Sequence, residues 1–408
     1  MKVVGDVLRR RREERHLSRG ELADLIGLTA KTIQRAEAGG PIRSQVVREL
    51  CRALALPLGG VVSPSDGEVV ARLRAFGRGP SPAPKHWVPR VDEVSLLLPV
   101  LTAEPEHHVR FCTLAGPPAI GKTALAQHVV ALVADEFPAG VVWLDGSHIA
   151  TLAELRAAQR DIGEALGFET RADASAQRDV DQSFSHHFWS RRRLLIVDDA
   201  RSTELIDALR GENEVGMVLV TTRSRRIAEH ASGTAVPLDP IEASCARTIL
   251  EEYVGAARLD SDATGTEALV ALVAHAPGSI HPTGRLLHRE PFRRPSDLIG
   301  HMTDTSIVAR DETQGWWKAL VLEGYQREQL RVSDGAWQTL ARLAAHGTCA
   351  LGIEQVAELC EVARPVASGY LSELLDAYLL HLSDAGGAEP RVHLDPHGAL
   401  VGRVAAGR

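Results

Sequence analysis

Four residues in the stretch "LAGPPAIGKTAL" have the types and spacing to hold phosphate: Gly116, Gly121, Lys122 and Thr123, in the pattern G-x-x-x-x-G-K-[ST]. Glycine lets the backbone turn its amides toward an anion, and a helix that follows the loop adds its positive N-terminal dipole. A lysine at this position reaches the β and γ phosphates of a nucleotide, and the threonine hydroxyl is a ligand for Mg²⁺. The candidate nucleotide cradle therefore runs from Gly116 through Pro117, Pro118, Ala119, Ile120, Gly121, Lys122 and Thr123 to Ala124. Downstream, "RRRLLIVDDA" closes an apolar run with two carboxylates. Asp198 is placed to hold the Mg²⁺ that Thr123 touches, and Asp199 to orient an attacking water.

Such a loop needs a strand before it and a helix behind it. "HHVRFCTLA" reads as a buried strand, and Leu125, Val129, Leu132 and Val133 mark the inner face of a helix. The runs "GVVWLDG", "RRRLLIVDDA", "GMVLVTTR" and "TAVPL" add four short apolar strands separated by helical sequence. Five such strands alternating with helices predict a parallel, doubly wound sheet. The arginines 191–193 read as a solvated turn entering the run "RRRLLIVDDA", and the 17 histidines show no metal-ligand spacing.

A second kind of chemistry is written at the N-terminus. "VVGDVLRRRREERHL" reads as a helix, and "SRGELADLIG" opens with a capping box from Ser18 and Glu21 and closes on Gly27. Thr29 caps the short helix of "LTAKTIQRAEAGG", and Val46, Val47, Leu50 and Leu54 give the next helix its core face. Helix, tight turn, helix presents the second helix to a DNA major groove, where Gln pairs with adenine and Lys with guanine.

Charge supports that division. The chain of 408 residues carries 46 Lys+Arg against 53 Asp+Glu, a net −7. Residues 1–56 hold 12 basic against 7 acidic side chains, whereas the rest holds 34 against 46. A basic head on an acidic body suits a small nucleic-acid footprint. No apolar run reaches the ~18 residues of a membrane span, and the charged start argues against export, so a cytoplasmic location is expected. The five cysteines form no C-x-x-C pair and read as core residues in a reducing compartment. Only five lysines stand beside 41 arginines, a bias of GC-rich (perhaps actinobacterial) coding.

Two family resemblances follow from these motifs. "LSRGELADLIGLT", "TIQRAEAG" and "LCRALAL" resemble the XRE/Cro type of helix-turn-helix. That resemblance implies base contacts from Ala30, Lys31, Thr32 and Gln34, phosphate contacts from Arg19 and Arg43, and an internal ion pair of Arg12 with Glu37. The loop, the Asp pair and "GMVLVTTRSR" resemble the NB-ARC domains of STAND-class signalling NTPases. This second resemblance implies that Arg223 meets the γ-phosphate and that Arg90, in "WVPRVDE", neighbours the nucleotide. It also implies that Pro277 packs near adenine and ribose, with Ala276 and Gly278 where the family has leucines. "VHLDPHG" occupies the place of a motif whose histidine touches the β-phosphate, and His393 and His397 are both candidates.

The expected fold is multidomain α and α/β. Residues 1–57 form the helix-turn-helix head, 58–92 a partly flexible Pro/Gly/Ser-rich linker around one short helical piece, and 93–238 the P-loop domain. A helical domain over 239–305 and a C-terminal winged helix over 306–408 complete it. The helix expected within "PVASGYLSELLDAYLLHL" carries Glu373 and Asp376 but no Arg or Lys, so it suits a lid better than a second DNA reader. The function expected is a transcriptional regulator that binds a double-stranded operator, gated by ATP and ADP with Mg²⁺ and hydrolysing ATP slowly, with self-association on DNA or ATP. Two alternatives stay open: a signalling or defence NTPase whose head binds protein, and a DNA-stimulated ATPase.

Overall fold

The computed structural model describes residues 2–3, 5–40, 42, 44–54, 56, 62–63, 73–76, 90–103, 109–149, 151–166, 186, 188–210, 216–273, 275–303, 332–347, 350–383, 390–394, 398–399 and 401–402. It divides into two compact units, one of residues 1–114, 122–222 and 227–236, the other of 115–121, 223–226 and 237–408.

The first unit begins with β1 (Lys2–Val3), α1 (Gly5–Glu14), α2 (Arg19–Leu25), α3 (Ala30–Glu37) and α4 (Ser44–Leu54). Ser18 caps α2 in the expected capping box with Glu21, and Thr29 caps α3 through the Thr32 amide. Leu8, Leu22, Ile33, Val47, Leu50 and Leu54 form its core. Gly5 permits a close approach: a Cβ there would lie 2.0 Å from the Glu37 carbonyl oxygen. Val47, Leu50 and Leu54 recur at helical spacing because α4 buries one stripe.

β2 (Val62–Ser63) pairs antiparallel with β1. β3 (Leu73–Phe76) lies inside the stretch expected as linker, yet it pairs parallel with β5 (Val141–Asp145). The linker expectation is corrected there: four of its residues are sheet. The whole sheet has six strands in the order β3-β5-β6-β7-β4-β8, with β4 Val109–Ala115, β6 Leu194–Ala200, β7 Gly216–Thr222 and β8 Thr234–Pro237. β5–β6 and β6–β7 are also parallel. α5 (Val91–Thr102), α6 (Lys122–Val133), α7 (Leu152–Leu166), α8 (Thr203–Ala208) and α9 (Arg225–His230) alternate with the strands.

Val142, Leu144, Leu195, Val197, Val218 and Val220 pack with Phe188 and Trp189 into one apolar cluster. The turn at 191–193 is not solvated throughout. Arg193 is buried, donating to the carbonyls of Phe188 and Ala139, while Arg192 donates to those of Leu101 and Ala103. Carbonyls left over at element ends satisfy the fork of each guanidinium, which offsets its burial.

In the second unit, α10 (Ala243–Val254), α11 (Ala256–Asp260), α12 (Ala263–Leu272), α13 (Pro277–Arg289) and α14 (Pro295–Thr303) form a helical group. α15 (Asp334–His346), α16 (Ile353–Cys360) and α17 (Arg364–Asp376) follow, then an antiparallel hairpin of β9 (Leu380–Ser383) and β10 (Arg391–Leu394). Leu351 bridges Val392, so the segment before α16 joins the hairpin. Glu373 accepts from the amide and hydroxyl of Ser333, fixing α17 to the start of α15. The helix expected to run through Leu382 stops at Asp376. Tyr378 takes a left-handed φ of 58°, and Leu380–Ser383 becomes a strand.

Candidate functional site

The loop between β4 and α6 has the backbone its sequence demands. Gly121 has a φ of 101°, and Ala119 a left-handed φ of 63°. Gly116 has no room for a side chain, since a Cβ would lie 2.9 Å from the Leu238 carbonyl oxygen. Alternating signs of φ turn successive amides to one side, the geometry of an anion nest. The next residue, Lys122, opens α6 and is buried.

In the second unit α13 packs its start onto this loop. The Gly278 amide donates to the Ala119 carbonyl at 2.8 Å. A Cβ at Gly278 would lie 2.8–2.9 Å from Ala119 atoms, so glycine in place of the family's leucine is what permits the contact. Pro277 stands at the first turn of α13 behind Ala276, and its ring presets the helical φ.

In the first unit the carboxylates sit at a fault in the sheet. The β6–β7 register shifts between Val197 and Ala200, and Asp199 has a φ of 58°. Such bulges re-aim side chains beside functional sites. Asp198 Oδ1 accepts the Thr123 hydroxyl at 2.8 Å and the Thr221 hydroxyl at 2.6 Å. Thr221 Oγ1 also accepts the Asp199 amide at 2.8 Å. Burial holds the Asp198 carboxyl above the usual range, against the pull of both threonines and Lys122, while Asp199 pushes it further up. Arg201 donates twice to Asp199 Oδ2, at 2.7 and 3.1 Å. Thr221 and Arg201 were not singled out in the sequence. The first belongs to the "TTR" run and had a readable signal; the second had none.

A hydroxyl and a buried carboxylate in direct contact are hard oxygen donors, the set Mg²⁺ takes when substrate phosphates supply the rest. The raised pKa of Asp198 marks a buried negative charge that a cation would compensate. The residues fit the ion. Among the described residues, no cluster of three His, Cys, Asp or Glu could hold a metal on its own.

Other expected residues fall as follows. Arg90 is buried and donates to Glu93 Oε1 at 2.6 Å. His393 lies on β10, directly opposite His381 on β9, with the rings stacked 6.2 Å apart. His397 and Arg43 lie outside the described residues.

The head presents a second candidate surface. On α3, Ala30, Lys31 and Gln34 are exposed, and Thr32 is half-buried with its hydroxyl 2.9 Å from that of Thr29. Arg35, one turn beyond Lys31, is also exposed and adds a cation to the same face, outside the contacts that the family resemblance implies. Glu37 is the buried hub beneath this helix. Arg12 donates to both its carboxylate oxygens, and Arg19 to Oε2 at 2.7 Å. Burial would raise the Glu37 carboxyl, but the two arginines outweigh that and hold it below the usual range. Arg19, expected at phosphate, thus has its Nε committed to Glu37.

The sheet, the Gly-Lys-Thr loop and the paired carboxylates define a P-loop α/β nucleotide-binding protein, here behind a helix-turn-helix head. Residues 92–260 match the NB-ARC domain, and residues 3–63 match a helix-turn-helix domain. The chain therefore carries a region that matches each of these two models. No curated protein matches it in sequence. Among solved structures it is similar to Cdc6p from Pyrobaculum aerophilum (15% identity, 80% of this chain and 96% of that one, TM-score 0.40). It is similar too to a Signal Transduction ATPase with Numerous Domains (STAND) protein with a tetratricopeptide repeat sensor from Pyrococcus horikoshii (15% identity, 79% of this chain, TM-score 0.37). It spans 43% of that second protein. A third is a mutant form of RuvB from Thermotoga maritima (14% identity, 75% of this chain and 91% of that one, TM-score 0.33). No helix among the described residues is long and apolar enough to cross a membrane.

Proposed function

We propose that the chain is a nucleotide-gated DNA-binding regulator, in which ATP and ADP favour different arrangements and hydrolysis is slow. The carrying observation is the hydroxyl–carboxylate cluster of Thr123, Asp198 and Thr221 on a complete phosphate loop. Lys122 would hold the β and γ phosphates, and Thr123 and Asp198 would hold Mg²⁺, which withdraws charge from the phosphate oxygens. Arg223 would meet the γ-phosphate, Arg90 and Pro277 would border the nucleoside, and His393 or His397 would meet the β-phosphate. Asp199 would orient water. Its carboxylate is engaged by Arg201, which supports positioning of water over a fast DNA-stimulated ATPase.

Residues 1–57 would read the operator through Ala30, Lys31, Thr32, Gln34 and now Arg35, with Arg19 and Arg43 toward phosphate. The helices α15–α17 and the β9–β10 hairpin are read as a winged-helix lid, and self-association would accompany one nucleotide state. Selection of bound sequences from random DNA, once with ADP and once with a non-hydrolysable ATP analogue, tests the reading. Enrichment of one motif, stronger in one nucleotide, is expected. No enrichment in either would favour a head that binds protein.

A further inference from the structure

The three residues after Arg223 make a connection that the nucleotide reading does not use. The Ser224 hydroxyl donates to both oxygens of Asp376, each at 2.9 Å. The Arg226 amide donates to Asp376 Oδ1 at 2.8 Å. Between them, the Arg225 guanidinium lies 4.6 Å over the ring of Tyr378. All these residues belong to one compact unit, although 150 positions separate them in sequence. Asp376 is the last residue of α17, and Tyr378 is the left-handed residue that turns the chain into β9.

We propose that Asp376 is a positioning residue for Arg223, and that it ties the phosphate-sensing loop to the C-terminal helices and hairpin. Arg223 and Ser224 are neighbours in the chain, so the Arg223 backbone cannot shift by the length of a hydrogen bond without straining the Asp376 contacts. The tie continues into the hairpin. Arg225 acts on His381, whose imidazole is held below its usual pKa by burial, by His393 and by Arg225. His381 in turn stacks on His393. Arg223 and His393 thus stand at two ends of one run of hydrogen-bond, charge and ring contacts. A carboxylate held by a hydroxyl and a backbone amide is a releasable contact, since each charge-assisted bond is strong only while its geometry holds. Asp376 is also one of the two acidic residues that set α17 apart from a DNA reader, and this contact gives that charge a role.

The proposal rests on the nucleotide reading, and its test keeps the two apart. Calorimetry on the full chain would give the ratio of ATP-analogue to ADP affinity in wild type, Asp376→Ala, Asp376→Asn and Ser224→Ala. Asn keeps an oxygen acceptor and is expected to hold the ratio within about twofold of wild type. Asp376→Ala is expected to shift it by about fivefold or more, the lower end of typical coupling between sites. Ser224→Ala, which removes two of the three bonds from a loop side chain, is expected to shift it in the same direction, and it carries the test should Asp376→Ala melt. Adding Ser224→Ala to Asp376→Ala should change little further. A folded Asp376→Ala or Ser224→Ala with the wild-type ratio overturns the tie alone. A wild type that binds neither nucleotide overturns the reading of the site, and the tie with it.

Discussion

Thr221 and Asp198 are joined by a 2.6 Å hydrogen bond, and the same threonine oxygen accepts the amide of Asp199. One hydroxyl therefore fixes the Asp198 carboxylate and the Asp199 backbone at the fault between β6 and β7. Thr221→Val keeps the shape and removes the hydroxyl. A hydrogen bond to a charged group contributes about 1.5–3 kcal/mol, so Mg²⁺-dependent nucleotide affinity should fall about tenfold or more. Thr221→Ser should restore it. Calorimetry with and without Mg²⁺ checks this, and a Val variant with wild-type Mg²⁺ dependence would remove Thr221 from the site.

Lys122 opens α6 directly behind Gly121. Lys122→Ala should abolish measurable nucleotide binding. Lys122→Arg should also fail, because a planar fork does not replace a compact ammonium. Unchanged affinity in either variant, by the same calorimetry, contradicts the phosphate role.

Lys31 and Gln34 are exposed on α3 above a helix face anchored by Ile33, Ala36 and Glu37. Alanine at either should cost about 1–3 kcal/mol on the selected site and relax the base preference. Arg43→Ala should weaken all sequences alike and flatten the salt dependence. Retardation at several salt concentrations separates these outcomes. A chain lacking residues 1–57 that still retards the same fragment would show that the head is not the reader.

Burial pushes His128, on the helix behind the phosphate loop, down to about 4. The unfolded chain takes up this proton from its ordinary value near 6.5 downward, whereas the folded chain does not until about pH 4. The unfolded state then binds more protons across that window, so stability falls as pH drops through it. At about 1.4 kcal/mol per pH unit the loss is on the order of 3 kcal/mol. Melting from pH 7.5 to 4.5 should show a steep decline that His128→Leu flattens. Parallel profiles for the two proteins would contradict it.

What the sequence disclosed was local. The phosphate loop is eight consecutive positions, the caps of α2 and α3 span four, and Asp198 announces itself at the end of an apolar run. What escaped it depends on distant partners. Leu73–Phe76 is a strand only because β5 lies beside it, and Pro and Gly on both sides hid it. Arg193 looks like surface until the carbonyls of Phe188 and Ala139 are in place. The run from Arg364 to Leu382 is apolar enough to continue as helix, and the break after Asp376 is made with a partner near position 225. Gly278 looked like a lost leucine, and only the approach of Ala119 explains it.

If nucleotide state and DNA affinity are coupled, the coupling must be reciprocal. Operator affinity would be titrated with ADP, with a non-hydrolysable ATP analogue and without nucleotide, and nucleotide affinity with and without operator. Operator affinity is expected to differ about 5–150-fold between nucleotides, with DNA changing nucleotide affinity by the same factor. Arg223→Ala should bind the ATP analogue yet respond as though it held ADP. Equal operator affinity under all three conditions would contradict the switch and leave the phosphate loop serving stability or another partner.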